Sequence, residues 1–409
     1  MLFNGGDGST VTPFKIKSEA NLKNISHYLD SHFVIIDNIS LSSSAIAPIG
    51  SKSTTLNTAY AGTAKAFSGS INGDIDGTNA KITNVKLAKD DLTDVSANLF
   101  GLFYAVADGA SISNIDVEFV NNESQKITSN SRPTYISGLV ATENRGTISN
   151  VNVSGDIYIS GDTTYPIQNM IYLAGIVKDN YGTITGTESG ATMNINLVVT
   201  TGTDSYIGGI SCNNYGTISH YGVGAVTLKA SSVGGIAHTN AGTIEYSYSK
   251  AEITLNGGLL TGYSSARVGG GLVGISGSGS VVTKSYSNST INIQNMSSSC
   301  YVGALAGMTS GGEFSNVYVA MFEGAVGGEF NYLGNVYGNF AGGTGSKIYY
   351  HKNNIGTKIA YTSINSNNVA TGSEIKVETS VSNYLTNLNT GADGTFVASG
   401  ADIKLYWED

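Results

Sequence analysis

Charged residues are scarce in this sequence of 409 residues, which has 21 Lys and Arg, 30 Asp and Glu and a net charge of −9. Only three of the basic residues are arginines, namely Arg132, Arg145 and Arg267. A protein that binds nucleic acid neutralises the phosphates with a dense cationic surface. The composition therefore excludes nucleic acid as a partner.

Cysteine and long apolar runs are scarce as well. The two cysteines cannot build a disulfide framework, and neither they nor the five histidines have the spacing of metal ligands. No uninterrupted apolar run approaches the roughly 18 residues of a membrane span, so no insertion into a membrane is expected. Residues 1–7 have neither the basic nor the apolar segment of a signal peptide, so no export signal is predicted there.

Glycine, tyrosine and apolar residues are abundant instead. The chain has 53 glycines and 24 tyrosines against four prolines, and 40% of its residues are hydrophobic. A chain with this much apolar surface and so little charge does not stay disordered. Frequent glycine, serine, threonine and asparagine are typical of strands that are joined by tight turns. The composition predicts an all-β protein and names no activity.

One short phrase recurs along the chain and predicts its architecture. A β-forming residue is followed by a polar position and two further apolar positions, as in Ser111–Val117 and Thr147–Val153. A second phrase, with glycines between apolar residues, precedes most copies, as in Ile207–Ile210 and Val268–Val273. The apolar residues that anchor the copies recur every 26 to 38 residues, at Ile82, Ile112, Ile148, Ile184, Ile218, Ile244, Val282 and Phe314.

Burial of these anchors requires the repeats to stack. One repeat has a single apolar face and cannot bury it alone, so successive repeats form coils whose backbones pair at about 4.8 Å. The inward and outward alternation slips at Asn150, which predicts a corner of the coil there. Asn84, Asn114 and Asn316 stand at equivalent positions, and stacked corner asparagines can hydrogen-bond one another. The predicted fold is an all-β, single-stranded parallel β-helix.

The coil register also predicts the state of the two cysteines. Cys212 precedes the Ile218 anchor and Cys300 precedes the Phe314 anchor, three coils later. Three coils separate them by on the order of 14 Å along the axis. A disulfide needs Cα atoms within roughly 7 Å. Both cysteines are therefore expected to be free thiols.

The repeats resemble the GLUG-motif repeats of bacterial surface proteins. The resemblance is carried by Gly270-Gly-Leu-Val-Gly274, by Lys284-Ser-Tyr-Ser287 and by Gly242-Thr-Ile-Glu-Tyr-Ser-Tyr-Ser249. The start of the chain is similar to the segment that often precedes such repeats. The resemblance covers roughly residues 10–320 and implies an exported, adhesin-like β-helix with a right-handed coil.

The two ends of the chain depart from the repeat and are expected to close the β-helix, because open strand edges would otherwise polymerise. Ser18 is a candidate N-cap, and Leu22, Ile25 and Leu29 share one face of a helix predicted over residues 18–30. The predicted domains are an N-terminal cap over 1–45, the β-helix over 46–330, and final irregular coils with a C-terminal cap over 331–409. Trp407 is expected to be a packing residue of that last segment.

Catalytic patterns are weak in this sequence. Glycoside cleavage in a β-helical groove needs two carboxylates about 5–10 Å apart. The candidate pairs are Asp74 with Asp76 in a glycine-flanked turn, and Asp90 with Asp91. Aspartate is common in such turns because it bonds the local backbone. The sequence therefore predicts no catalytic residue, no metal, no cofactor and no enzyme, with a β-helical polysaccharide lyase or glycosidase as an alternative.

An aromatic column is the candidate binding surface. Aromatic residues stand immediately before the first apolar residue of the glycine phrase, and their side chains are expected to point outward, where they suit carbohydrate or protein contact. Simple pairing between coils is the other interpretation. Long segments over 154–169, 256–266 and 288–299 border this column. A second column, Tyr248, Tyr286 and Tyr318, is expected to be structural. The candidate ligand-binding residues are Tyr135, Tyr172, Tyr206, Arg267 and Tyr301.

Together these features predict an extracellular or cell-surface protein that attaches to glycans or proteins of host or neighbouring cells along the side of a β-helix. A second copy of the chain is a further candidate partner. A phage tail or virion component that binds a receptor is the alternative within binding proteins.

Overall fold

Short strands joined by glycine and asparagine turns stack in parallel, coil upon coil, and so build the predicted parallel β-helix. The computed structural model describes residues 2–42, 47–50, 66–89, 99–120, 138–160, 170–187, 189–200, 204–256, 267–294, 300–319, 331–334, 336–351, 360–361, 375–378, 385–386, 388–389, 394–399 and 402–408.

A large parallel sheet runs along most of the described coils, apart from one antiparallel turn at Asp74–Ile75 with Thr78–Val85. Its strands are Phe14–Ile16, His32–Ile35, Ile39–Ser40, Ser70–Asn72, Asp74–Ile75, Thr78–Val85, Phe103–Val106, Ser111–Phe119, Ala141–Asn144, Thr147–Ser160, Val177–Asn180, Thr183–Thr185, Ala191–Thr200, Ser211–Asn214, Thr217–Ser219, Tyr221–Val223, Thr227–Ala230, Ala237–Asn240, Thr243–Glu245, Tyr248–Ser249, Glu252–Asn256, Val273–Ser276, Val281–Ser287, Thr290–Gln294, Ala306–Val319, Tyr337–His351, Ala360–Tyr361 and Ile375–Glu378.

A second parallel sheet closes the coils on another side. Its strands are Met170–Ala174, Asp204–Gly208, Ser232–Gly234, Arg267–Gly270, Cys300–Gly303 and Asn331–Gly334. Two small antiparallel pairs complete the described strands, Ala88–Lys89 with Leu99–Phe100 and Phe396–Ser399 with Asp402–Leu405.

The predicted anchors form one buried column through the core. Ile112 pairs with Ile148, and the register continues residue by residue to Phe314. Every anchor from Ile112 onward is at most 1% exposed. Burying each of these side chains stabilises the fold by about 1.5–3 kcal/mol, so the column contributes substantially to stability.

The predicted corner is a left-handed backbone position that follows most anchors by two residues. Asn114, Asn150 and Asn316 have φ angles of +59°, +50° and +51°. Asparagine tolerates this region better than most residues, because its short side chain bonds locally. The Asn150 amide also donates to the Asn114 carbonyl oxygen at 2.9 Å, as expected for stacked corners.

Ile82 and Asn84 occupy different places from those predicted. The residue stacked on Ile112 is Ile71, whereas Ile82 pairs with Val117, one strand further along the coil. Asn84 is left-handed, with φ +61°, but it lies at an irregularity of that later strand. An antiparallel turn at Asp74–Ile75 with Thr78–Val85 lengthens this coil and moves the similar phrase downstream.

An internal asparagine ladder fixes the coil register. The fully buried Asn144, Asn180, Asn214 and Asn240 stand in successive coils, and each amide nitrogen of the first three donates to the next carbonyl oxygen at 2.8–2.9 Å. Each of these bonds contributes about 0.5–1.5 kcal/mol, and an unpaired buried amide would cost more. The ladder therefore favours one register over a slipped one.

The N-terminal helix is present but shorter than predicted. It spans Glu19–Asn24 and continues as a 3₁₀ turn over Ile25–His27. Ser18 is the N-cap, and its side chain accepts a bond from the Asn21 backbone N–H. The helix ends early because Asn24, Ser26 and His27 are weak helix formers. Leu22 and Ile25 pack into the core of the first coils.

The C-terminal segment continues the coils and then turns back along their flank. The strands Tyr337–His351 and Ile375–Glu378 are still parallel to the coils before them. The hairpin Phe396–Ser399 with Asp402–Leu405 belongs to one buried cluster with Tyr248, Tyr286, Tyr318 and Tyr349, which stand in successive coils. Trp407, 6% exposed, is a packing residue there, as predicted. In the part of the chain that is described, no helix has the length and apolar character needed to cross a membrane.

Candidate recognition surface

Tyr172 and Tyr206 lie on adjacent coils and stack on each other. They are paired in register on the second sheet, and their ring centroids are 4.9 Å apart at an interplanar angle of 20°. The edge of His238 meets the ring of Tyr206 at 5.0 Å. Both tyrosines are half-buried rather than fully outward. Burial, with the nearby Asp204, raises the pKa of Tyr206.

A polar strip follows this pair on the neighbouring strands of the large sheet. The Lys178 ammonium lies 5.3 Å from the centre of the Tyr172 ring and 2.7 Å from Oδ2 of Asp179. Asn213, on the next coil, donates from Nδ2 to Oδ1 of Asp179 at 2.7 Å. The Asp179 ion pair raises the pKa of Lys178 in spite of its burial, which acts in the opposite direction. Lysine, aspartate and asparagine together offer both donors and acceptors to a ligand.

A second stacked pair, Tyr181 and Tyr215, borders the other side of the strip. Their rings are 4.8 Å apart and almost parallel, at 11°. They are among the most exposed large side chains described, at 41% and 45%. Arg145 lies over the far face of Tyr181, 4.8 Å from the ring centre, and is held there by Glu143 at 2.5 Å. Burial raises the pKa of Glu143, and Arg145 opposes that effect.

We call the outer surface of residues 170–181 and 204–215 the tyrosine face. It consists of two stacked tyrosine pairs on adjacent coils with the charged and amide groups of Lys178, Asp179 and Asn213 between them. Contacts from Tyr172 through Lys178 to Asp179 make the surface continuous. Asp179 also raises the pKa of Tyr181, behind the larger effect of burial.

Two buried groups lie beneath the tyrosine face. Cys212 stands between Lys178 and His238 in the register of the large sheet. Burial raises the pKa of the Cys212 thiol, so it is not a reactive thiolate. Burial lowers the pKa of His238 to about 4, so its imidazole is neutral at pH 7. Nε2 of His238 has no hydrogen-bond partner among the described residues.

The predicted aromatic column is only partly assembled. Tyr135 lies outside the described residues. Tyr301 is half-buried and pairs with Val268, three coils beyond Tyr206, and is therefore separate from the tyrosine face. Ser232 stands next to Tyr206 instead. Parts of all three long segments predicted beside the column also fall outside the described residues.

Arg267 does not belong to the predicted binding surface. It is 4% exposed and forms a buried ion pair with Asp204. The glycine phrase of its coil has one extra glycine, so Gly269, not Val268, pairs with Val233. This shift by one residue moves Arg267 to the opposite face of the strand, in register with the buried Cys300. Its role is structural.

Cys212 and Cys300 are both buried and free, as predicted. They belong to different sheets, and burial raises the pKa of Cys300 to about 12.

The second tyrosine column is structural, as expected, but the sequence did not predict what covers it. Tyr248, Tyr286 and Tyr318 are in register and at most 7% exposed. The Tyr286 hydroxyl donates to Glu408 at 2.7 Å, and Lys250 pairs with the same carboxylate at 2.6 Å. The C-terminal hairpin therefore covers this column.

The acidic candidates take turn or network roles. Asp74 accepts a bond from the Gly77 backbone N–H at 2.7 Å, in a tight turn where Asp76 has a left-handed backbone. Asp90 and Asp91 lie outside the described residues. Among the described side chains, no three of His, Cys, Asp or Glu come together as metal ligands would.

Sequence reasoning missed Tyr181 and Tyr215. The signal was the repeated Asn-Tyr-Gly of Asn180–Gly182 and Asn214–Gly216, one coil apart. The asparagine is buried in the internal ladder, so the following tyrosine must point outward at the turn. From the sequence alone the two phrases have the composition of ordinary polar turns, because the burial of their asparagines is not evident there.

No protein-family model matches the chain, and no match is found among curated proteins. The GLUG resemblance therefore stays a prediction. Among solved structures, the chain is similar to a "putative immunoglobulin A1 protease" from Bacteroides ovatus, with 16% identity and a TM-score of 0.42 over 100% of this chain and 96% of that one. It is also similar to an IgA1 protease, with 14% identity and a TM-score of 0.40 over 83% of this chain and 21% of that one.

These two names correct one prediction. The sequence predicted a protein that is not an enzyme, whereas both similar structures carry the name of an enzyme. The prediction is therefore wrong as stated. At these identities and TM-scores the likeness assigns no reaction or substrate to this chain.

Proposed function

We propose that this β-helix is a surface-recognition protein that attaches to glycan or protein receptors of host or neighbouring cells through the tyrosine face. The observation that carries the proposal is the arrangement of two stacked tyrosine pairs around a polar strip on adjacent coils. The proposed location is the cell surface or the extracellular space.

The chemistry of the tyrosine face suits recognition. Tyrosine supplies a large, stiff apolar body with a polar tip, which is why it is enriched at binding surfaces. Stacking within each pair holds the rings in one orientation before any partner arrives. Because preorganised side chains lose little entropy on binding, more of the contact energy remains as affinity.

The rigidity of the support also favours binding. Tyr181 and Tyr215 follow Asn180 and Asn214 of the buried ladder directly, and their backbone N–H groups donate to the coil before. The side chains are therefore carried by fixed backbone. A site on strands and stacked turns holds its geometry better than one on a free loop.

The test is attachment of the purified protein to a glycan array and to fixed cells. Replacing Tyr172 and Tyr206 together with serine is expected to weaken attachment at least about tenfold, because aromatic anchors dominate interface energies. Tyr158→Ser is the control, since Tyr158 is 46% exposed but lies on a strand outside the tyrosine face. Melting curves establish that each variant is folded.

Two results would refute the proposal. One is a folded tyrosine variant that attaches as strongly as the parent protein. The other is a parent protein that attaches to neither glycans nor cells.

A further inference from the structure

Tyr181 and Tyr215 form an exposed aromatic ladder, which is covered by another side chain at one end and open at the other. Arg145, Tyr181, Tyr215, Ala241 and Gly277 occupy the same turn position in five successive coils, each one residue beyond the paired strands. Arg145 covers the outer face of Tyr181, and Tyr215 covers its inner face. Among the described residues, no ring or cation lies on the opposite face of Tyr215.

The space beside that face is floored by small residues. The Ala241 backbone N–H donates to the Asn214 carbonyl at 2.8 Å, which places Ala241 directly next to Tyr215 along the ladder. Gly277 follows, and a Cβ built on it would touch only the Asn240 carbonyl oxygen and the Ala241 Cβ, at 3.5 and 3.8 Å. Beyond Tyr215 the residues at this turn position are therefore small. This leaves an open space that is bounded on one side by the face of the Tyr215 ring.

The charges along the ladder differ between its two ends. Beside the capped end stand Glu143 and Asp179, and the cap itself is a guanidinium. Beside the open face stand Asn213 and Thr239, which are neutral, and Asn213 donates to Asp179 of the preceding coil, whose charge raises the pKa of Tyr215 behind the larger effect of burial. The Thr239 hydroxyl lies 3.1 Å from Nδ1 of His238, whose burial keeps it uncharged at pH 7. The open end thus offers an apolar ring face and neutral hydrogen-bonding groups.

We infer that the face of Tyr215, with Ala241 and Gly277 as its floor, is a binding subsite for one neutral pyranose ring of a glycan. A pyranose has one largely apolar face, which stacks on an aromatic ring, and a rim of hydroxyls, which pair with neutral amide and hydroxyl groups. The inference rests on the proposed function and gives it a ligand class and a position.

Two substitutions test the subsite from opposite directions. Tyr215→Ala removes the ring that bounds the space. Ala241→Tyr leaves Tyr215 in place but extends the ladder by one ring, so that a side chain occupies the proposed position of the sugar. Tyr158→Ala is the matched control, because Tyr158 is equally exposed on another strand.

The measurement is binding to an array of neutral and sialylated oligosaccharides, with melting temperatures as the check on folding. We expect the parent protein to bind neutral glycans, and Tyr215→Ala and Ala241→Tyr each to weaken that binding about tenfold or more, whereas Tyr158→Ala leaves it unchanged. If one variant fails to fold, the glycan binding of the other variant still tests the subsite.

Three results would overturn the subsite. The folded variants bind neutral glycans as the parent does, or the parent binds only acidic glycans or basic peptides, or it binds no glycan. If cell attachment depends on Tyr172 and Tyr206 but not on Tyr215 or Ala241, the subsite falls and the proposed function stands. If the parent attaches to nothing, both fall.

Discussion

Two stacked tyrosine columns on this β-helix differ in their exposure to solvent. Tyr181 and Tyr215 are stacked and more than two-fifths exposed, whereas Tyr248 and Tyr286 are stacked in nearly the same way and at most 7% exposed. Stacking between coils is therefore common to both and does not distinguish a structural column from a recognition surface. The difference lies in what covers the rings.

The C-terminal hairpin makes that difference. Trp407 contacts Tyr248 with a centroid separation of 5.3 Å, and its indole N–H donates to the Tyr246 carbonyl at 3.2 Å. Glu408 accepts bonds from Tyr286 and Lys250. On the tyrosine face, by contrast, the rings contact residues of their own and neighbouring coils, namely each other, Arg145, Lys178 and His238. A ladder that no other described segment covers is available to a partner.

The largest effect is expected in the covered column. Tyr286→Ala removes a ring that is 1% exposed and the hydroxyl that bonds Glu408, so the free energy of unfolding should fall by about 3–5 kcal/mol in urea titrations. Tyr286→Phe, which keeps the ring and loses only the hydrogen bond, should cost about 1 kcal/mol. A loss below 1 kcal/mol for the alanine variant would mean that the hairpin does not hold this column in solution.

Acidification should affect the tyrosine face through His238. Its pKa falls from an ordinary 6.5 to about 4 on folding, so its contribution to stability is complete above pH 6.5 and is lost as the pH drops towards 4. The loss should reach about 3 kcal/mol. The parent and His238→Gln, compared by urea unfolding at several pH values, should differ in slope over this range. Equal slopes would show that His238 is not buried as a neutral group.

The internal asparagine ladder is expected to give a smaller effect. Asn180→Ala leaves the buried Asn144 amide with only the longer bond to the Thr183 carbonyl and removes the bond to Asn214, which should cost about 1–3 kcal/mol. Asn213→Ala, at the neighbouring surface position, should cost less than about 0.5 kcal/mol. If the two variants lose equal stability, the ladder does not fix the register.

The smallest effect on stability is expected in the exposed column. Tyr181→Ala removes the stacking with Tyr215 and the contact with Arg145, which should cost about 1 kcal/mol or less. Thermal unfolding would measure this directly. A loss as large as that of Tyr286→Ala would mean that Tyr181 belongs to the core.

The repeat made most of the fold predictable. A strand that buries one residue in two and then turns at a left-handed asparagine leaves its period in the sequence, and Ile112 through Phe314 follow that period. Ile82 and Arg267 were misplaced because a turn insertion and one extra glycine shift the register, and a shift of one residue exchanges the two faces of a strand.

The coverage of the surface was not predictable in the same way. Tyr206 and Tyr286 both stand in recurring phrases, and the second is buried by the C-terminal segment, including Glu408, 122 residues further along the chain. A contact between segments that are far apart in the sequence produces no periodic pattern from which it could be predicted. Tyr181 and Tyr215 do recur within Asn-Tyr-Gly, but their outward direction depends on the burial of the preceding asparagines.

Hydroxyl-radical footprinting of the tyrosines, with and without cells or glycans that the protein binds, tests directly whether the exposed column is a recognition surface and the covered column is structural. We expect Tyr181 and Tyr215 to be oxidised in the free protein and protected on binding, while Tyr248, Tyr286 and Tyr318 stay unmodified in both states. Oxidation of the second group in the free protein, or unchanged oxidation of the first group on binding, would contradict this expectation.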